Sequence, residues 1–194
     1  LNAMGSTPAE MENARNVALY TYSSTDKAQQ WKAVKQSGTG YYRLELQMDD
    51  SYVLDPDTTV GATLHNAHIY TPSSDSDILF EQISTNRVRI RLANITDGGN
   101  KLYLTASSSI GNGAYNKKGT TDTGNVFWAP LGEGTRQQWD VVKISSGSSG
   151  ETAGPVIDLV DGATYSFKCA LNGTYALNAM GSTPAEMENA RNVA

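Results

Sequence analysis

Three aromatic residues stand in matching surroundings along this 194-residue chain: Trp31 in AQQWKAV, Phe80 in DILFEQI and Trp139 in RQQWDVV. They are 49 and 59 residues apart. A second repeat sets a longer period. Residues 1–18, LNAMGSTPAEMENARNVA, are identical to residues 177–194, an offset of 176. Chance does not produce such an identity. The chain therefore reads as a window on a tandem array of 176-residue units, or as a circular permutant whose ends overlap. On that period the next Trp31 follows Trp139 after 68 residues, and the unit divides into three subrepeats.

Each subrepeat opens with apolar residues at alternate positions: Tyr165-Phe167-Cys169-Leu171, Tyr42-Leu44-Leu46-Met48 and Val88-Ile90-Leu92. Period two marks a strand with one buried face. Turn residues follow at Asn172-Gly173, Asp49-Asp50 and Asp97-Gly98-Gly99. Second strands are expected at 175–179, 52–56 and 102–106, and third strands at 16–22, 66–72 and 125–130. The fourth strand carries the aromatic residue. Three four-stranded copies, twelve strands in all, predict an all-β fold closed as a β-trefoil, a small barrel with a hairpin cap. One unit then covers 1–176 in permuted order. Its subrepeats are 161–176 plus 1–37, 38–84 and 85–146, and its linker is 147–160, rich in Gly and Ser. The capping-box pattern Thr7-Pro8-Ala9-Glu10 predicts one short decorating helix over 9–15.

The duplication means that two copies of one segment compete for one place. The surplus copy frays or docks in a neighbouring chain.

Composition narrows the function. The formal net charge is −5, which argues against nucleic acid and anionic membrane surfaces, since both need a Lys/Arg excess. No apolar run is long enough for a membrane span. The single cysteine, Cys169, excludes an internal disulfide framework and a multi-Cys zinc site, and its alternation with Phe167 predicts an inert buried thiol. His65 and His68 lack a third ligand at a recognisable spacing, and the aspartates from Asp49 to Asp77 do not follow a calcium-loop pattern. No metal or cofactor is expected. No nucleophile elbow, phosphate loop or facing pair of carboxylates is specified, so no enzyme is expected.

The motifs Gln29-Gln30-Trp31 and Gln137-Gln138-Trp139, placed across a threefold repeat, resemble the Gln-x-Trp signature of the ricin B-type lectins and related bacterial carbohydrate-binding modules. The resemblance covers the unit apart from the linker. It implies that the Trp fills the core while the Gln ties a turn. It also implies a sugar pocket with a carboxylate just after the second strand, an aromatic face on the third and a polar group near the fourth. A charged acceptor takes two hydroxyls, and the apolar face of the sugar covers the ring.

Carried onto this chain, the first subrepeat offers Asn2 (repeated as Asn178), Tyr20, Ala18 and Ala28, a degenerate set. The second offers Asp55, His68, Tyr70 and Asp77, with Phe80 in place of Trp and Ile78 in place of the motif Gln. The third offers Thr105, Trp128 and Gln137, with a long loop that would bring Tyr115 or Asn116 over a ligand. The expected ligand-binding residues are Asp55, His68, Tyr70, Asp77 and Trp128. Two readings stay open at two of them: Asp55 before Pro56 also suits a turn cap, and Trp128 also suits packing beneath its own loop. The expected function is glycan binding by a non-catalytic module of a tandem-repeat protein outside the cell or on its surface. The alternative is a structural bead of a surface fibre, joined to neighbouring copies of itself through 1–18 or 177–194.

Overall fold

The apolar alternation seen in the sequence forms strands whose inward faces share one core. The computed structural model describes residues 15–58, 65–114, 118–145 and 159–180. Among them are twelve strands: β1 (Val17–Thr21), β2 (Trp31–Lys35), β3 (Tyr42–Leu46), β4 (Asp49–Pro56), β5 (His65–Tyr70), β6 (Ile78–Ser84), β7 (Arg87–Asp97), β8 (Asn100–Ala106), β9 (Val126–Pro130), β10 (Trp139–Ser145), β11 (Thr164–Cys169) and β12 (Tyr175–Ala179). One-turn 3-10 segments, Lys27–Gln29, Ser74–Ser76 and Gly134–Gln137, stand just before β2, β6 and β10. The protein is all-β, and its strands belong to one large antiparallel sheet. The expected helix falls, apart from Arg15, outside the described residues, as do Asn2, Tyr115, Asn116 and most of the linker.

Six strands pair in a cycle that returns to its start: β2 with β3, β3 with β6, β6 with β7, β7 with β10, β10 with β11, and β11 with β2. The register repeats three times. Trp31 faces Tyr165 and Leu46; Ile78 faces Tyr42 and Leu92; Trp139 faces Val88 and Cys169. The other six strands pair as β4–β5, β8–β9 and β12–β1. These three pairs are tied to one another by Asn16 opposite His68, Asn66 opposite Phe127 and Asn125 opposite Ala18.

This register corrects one expectation. The residue equivalent to Trp31 and Trp139 is Ile78, and Phe80 lies two places further along β6, level with Ala33 and Val141. Trp31, Ile78 and Trp139 are fully buried, whereas Phe80 is half-buried against Tyr42 and Phe167, at ring-centroid distances of 5.5 and 5.9 Å. The motif Gln of the second repeat is likewise replaced by Ser76 rather than Ile78. Two smaller differences concern turns. Asp49 and Asp50 open β4, because the chain reverses at Gln47-Met48, and Leu171 lies beyond β11 with 45% exposure.

The buried polar groups follow the same threefold order. The Trp31 indole donates to the Leu177 carbonyl at 3.3 Å, and the Trp139 indole to the Leu104 carbonyl at 3.0 Å. A large ring is thus buried without stranding its N–H. Gln29 accepts from the Ser23 amide and donates to the Thr21 carbonyl; Gln137 accepts from the Gly132 and Glu133 amides and donates to the Pro130 carbonyl. Both glutamines therefore tie the loop that leads into their 3-10 turn. Where the hairpins meet, Asn66 donates to Asn16 and Asn125 donates to Asn66, all three side chains being buried.

The duplicated segment is divided between its two copies. Residues 16–18 lead into and form β1 from the first copy, and residues 177–180 complete β12 and the chain just after it from the second.

Candidate functional site

The site is built on the β4–β5 hairpin. In β4 a continuous buried run from Tyr52 brings Asp55 to the end of the strand, 5% exposed. Its direct register partner on β5 is His68. His68 Nε2 lies 2.9 Å from Asp55 Oδ2. The other carboxylate oxygen, Oδ1, accepts from the Ser76 hydroxyl at 2.5 Å. Ser76 is fixed in turn by the capping box of its 3-10 turn, where its hydroxyl accepts from the Ser73 amide. The carboxylate is therefore held at both oxygens, and each oxygen keeps a further lone pair for another donor.

His68 continues outward into an aromatic stack. Its ring lies parallel to Tyr70 within 7°, with centroids 5.6 Å apart. The Arg15 guanidinium sits over the Tyr70 ring at 4.9 Å, a cation–π contact. Tyr70 remains 43% exposed. From inside to outside, the order is Ser76, Asp55, His68, Tyr70: a buried carboxylate leading to an exposed ring that His68 stacks against and the half-buried Arg15 guanidinium overlies.

The five residues expected from sequence do not all meet here. Asp55, His68 and Tyr70 come together. Asp77 is turned away: its carboxylate accepts from Arg43 Nε at 2.7 Å and lies 3.4 Å from Asn94 Nδ2, which ties β3 to β7. Trp128 is 1% exposed and belongs to the core. Its place on β9 matches Leu19 and Ile69, and the residue matching Tyr70 is Ala129. Trp128 therefore offers no stacking face. Four consecutive buried residues, from Val126 to Ala129, hide the alternation that would have revealed this.

Sequence reasoning missed Ser76 and Arg15. Ser76 was masked by taking Phe80 as the marker of register. Arg15 directly precedes Asn16, and only the pairing of Asn16 with His68 carries it to the second repeat.

The other two repeats lack this arrangement. In the third, Gln137 Nε2 donates to Thr105 Oγ1 at 3.1 Å, so the Gln–Thr pair occupies the place of Ser76 and Asp55. In the first, Ala18 replaces His68, and the loop before β9 lies against it. A Cβ on Gly113 would collide with the Ala18 Cβ. The same loop exchanges hydrogen bonds with β1: Gly113 donates to the Leu19 carbonyl at 2.8 Å, and the Thr21 amide donates to Asn112 Oδ1 at 2.8 Å. Tyr20 stays 41% exposed beside this covered position.

His65 and His68 do not converge, since His65 Nδ1 meets the Asp57 carbonyl at 3.0 Å. Among the described residues no group of three or more His, Cys, Asp or Glu side chains is placed to hold a metal ion, and no helix is long and apolar enough to cross a membrane. A half-open cavity of about 400 Å³ lies at the β3–β4 turn, lined by Lys32, Glu45, Gln47, Asp49 and Asp50, and includes none of the candidate residues.

Comparison with protein-family models, with curated proteins and with solved structures gave no match to this chain.

Proposed function

We propose that the chain is a β-trefoil module that binds carbohydrate, without catalysis, at one site formed by Asp55, His68 and Tyr70. The trefoil reading is supported by the closed cycle of six strands, the three hairpins linked in turn, and a register that repeats at Trp31, Ile78 and Trp139. The binding reading is carried by one observation: a pre-organised carboxylate stands beside an exposed aromatic ring in one repeat, and both are replaced in the third. On this reading Asp55 Oδ2 and the edge of His68 are the partners of sugar hydroxyls, and the exposed part of Tyr70 suits the apolar C–H face of a pyranose. A single shallow site of this kind binds weakly. A tandem array at a cell surface gains strength through multivalency.

The test is a glycan array on the full chain, repeated with Tyr70→Ala and Tyr20→Ala. Tyr70→Ala is expected to abolish the signal and Tyr20→Ala to keep it. Absence of binding to every glycan, or equal loss in both variants, overturns the assignment.

A further inference from the structure

The slot beside β1 is filled by residues 177–180, and the chain carries the same four residues again at 1–4. The slot is well defined. Leu177 pairs with Leu19, Asn178 with Ala18 and Ala179 with Val17, and the Met180 amide donates to the Asn16 carbonyl at 2.8 Å. Trp31 Nε1 donates to the Leu177 carbonyl from below. Leu177 and Ala179 are buried at 0% and 1%. The opposite side of β1 is fixed independently by Asn112, Gly113 and Gly124, so β1 keeps its place when the occupant of the slot changes.

We infer that this slot is an exchangeable strand site, which takes residues 1–4 of a second copy of the chain in place of residues 177–180. The side chains are identical, so an incoming segment reproduces every contact: Leu1 opposite Leu19, Asn2 opposite Ala18, Ala3 opposite Val17, and the Trp31 indole on the Leu1 carbonyl. The two occupants differ only in how they are tethered. Residues 177–180 are held by β11 and the first half of β12, which gives them an effective concentration of roughly millimolar order. A second copy competes when chains are crowded, as in swapped assemblies that reuse native contacts. Each exchange places one chain's first residues in another chain's fold. The residues released, 177–180, match in sequence those that replaced them, so they are able to enter the slot of a further copy.

The experiment mixes two full-length variants, Ala3→Cys and Val17→Cys, at high protein concentration under mild oxidation. Position 17 is buried beneath the slot, so a thiol introduced there is reached only by a segment that enters it. Expected is a disulfide between the thiol introduced at position 3 of one chain and that introduced at position 17 of the other, identified by peptide mass and suppressed by a synthetic peptide of residues 1–18. A yield no higher than that obtained when Val17→Cys is replaced by Thr39→Cys, an exposed turn position, overturns the inference. Sedimentation provides a readout free of substitutions. The average mass of the full chain is expected to rise with concentration, and that of a chain beginning at residue 15, where the described fold begins, to stay monomeric. A full chain that is monomeric at every concentration overturns it equally.

Discussion

His68 and Asp55 face each other across the β4–β5 ladder as direct register partners, with His68 Nε2 2.9 Å from Asp55 Oδ2. The contact joins the interior of the second repeat to its surface. Asp55 is tied inward to Ser76, and His68 is stacked outward on Tyr70.

This dual attachment separates stability from binding. Asp55→Ala removes the acceptor for both Ser76 and His68, and stranding a buried polar group costs about 1–3 kcal/mol. The variant is expected to unfold at lower urea concentration than the parent. Tyr70→Ala removes a ring that is 43% exposed, with its stack on His68 and its contact with Arg15, and is expected to cost about 1 kcal/mol, less than Asp55→Ala. Urea denaturation of both variants checks the contrast, and only Tyr70→Ala then gives an uncomplicated reading of ligand affinity.

Asn66 sits at the middle of the asparagine cluster, donating to Asn16 and accepting from Asn125. Asn66→Leu keeps the volume but strands a buried acceptor on one neighbour and a donor on the other. A loss of about 1–3 kcal/mol is expected. Asn94→Leu, on the exposed part of β7, is the control and is expected to cost less. Parallel denaturant titrations measure the difference.

Gly113 packs where no side chain fits. An added Cβ would collide with that of Ala18 and lie 3.2 Å from the Gly124 carbonyl oxygen. Gly113→Ala is expected to push the loop off β1 and destabilise by about 1–3 kcal/mol, the usual range for overpacking. Faster hydrogen exchange at the Leu19 and Thr21 amides, both bonded to this loop region, would accompany it.

Alkaline pH is expected to weaken the fold. Burial pushes the Cys169 thiol above its ordinary value of 9.0, and burial also pushes the Tyr165 and Tyr103 phenols above 10.0, Glu81 adding to the effect at Tyr103. The native state therefore keeps protons that the unfolded chain releases. This contribution is fully present below the unfolded-state values and is lost as pH rises through the folded ones. Urea midpoints are expected to hold between neutral pH and 9.0 and to fall above it. In Cys169→Ala the first part of that fall should be smaller. A midpoint that rises with pH in this range contradicts the assignment.

The all-β class was legible in the sequence because alternation at Tyr42-Leu44-Leu46 and Val88-Ile90-Leu92 admits no other local structure. The buried role of Cys169 was legible for the same reason, and the buried roles of Trp31 and Trp139 followed from their place in the Gln-x-Trp motifs. The register of the second repeat was not. Phe80 is the nearest large aromatic residue, yet the loop before β6 is shorter, so the core position falls to Ile78, an aliphatic residue that gives no motif. That slip of two places hid Ser76 and promoted Asp77, whose ion pair with Arg43 depends on a neighbouring strand. Trp128 was misplaced because β9 is buried on both faces, and a continuous apolar run carries no period. Arg15 reaches Tyr70 only through the closure of the hairpin ring, which no local pattern encodes.

The central claim is that Asp55, His68 and Tyr70 form a carbohydrate site in the second repeat. Its most direct test is a backbone-amide NMR titration of the full chain with a panel of mono- and disaccharides. The account predicts saturable shifts confined to the ends of β4 and β5, around Asp55 and His68 to Tyr70, and to the Ser76 turn. Amides around Asn178 and Thr105, in the two matching positions, should not move. Spectra that no sugar changes, or shifts centred on another repeat, would contradict it.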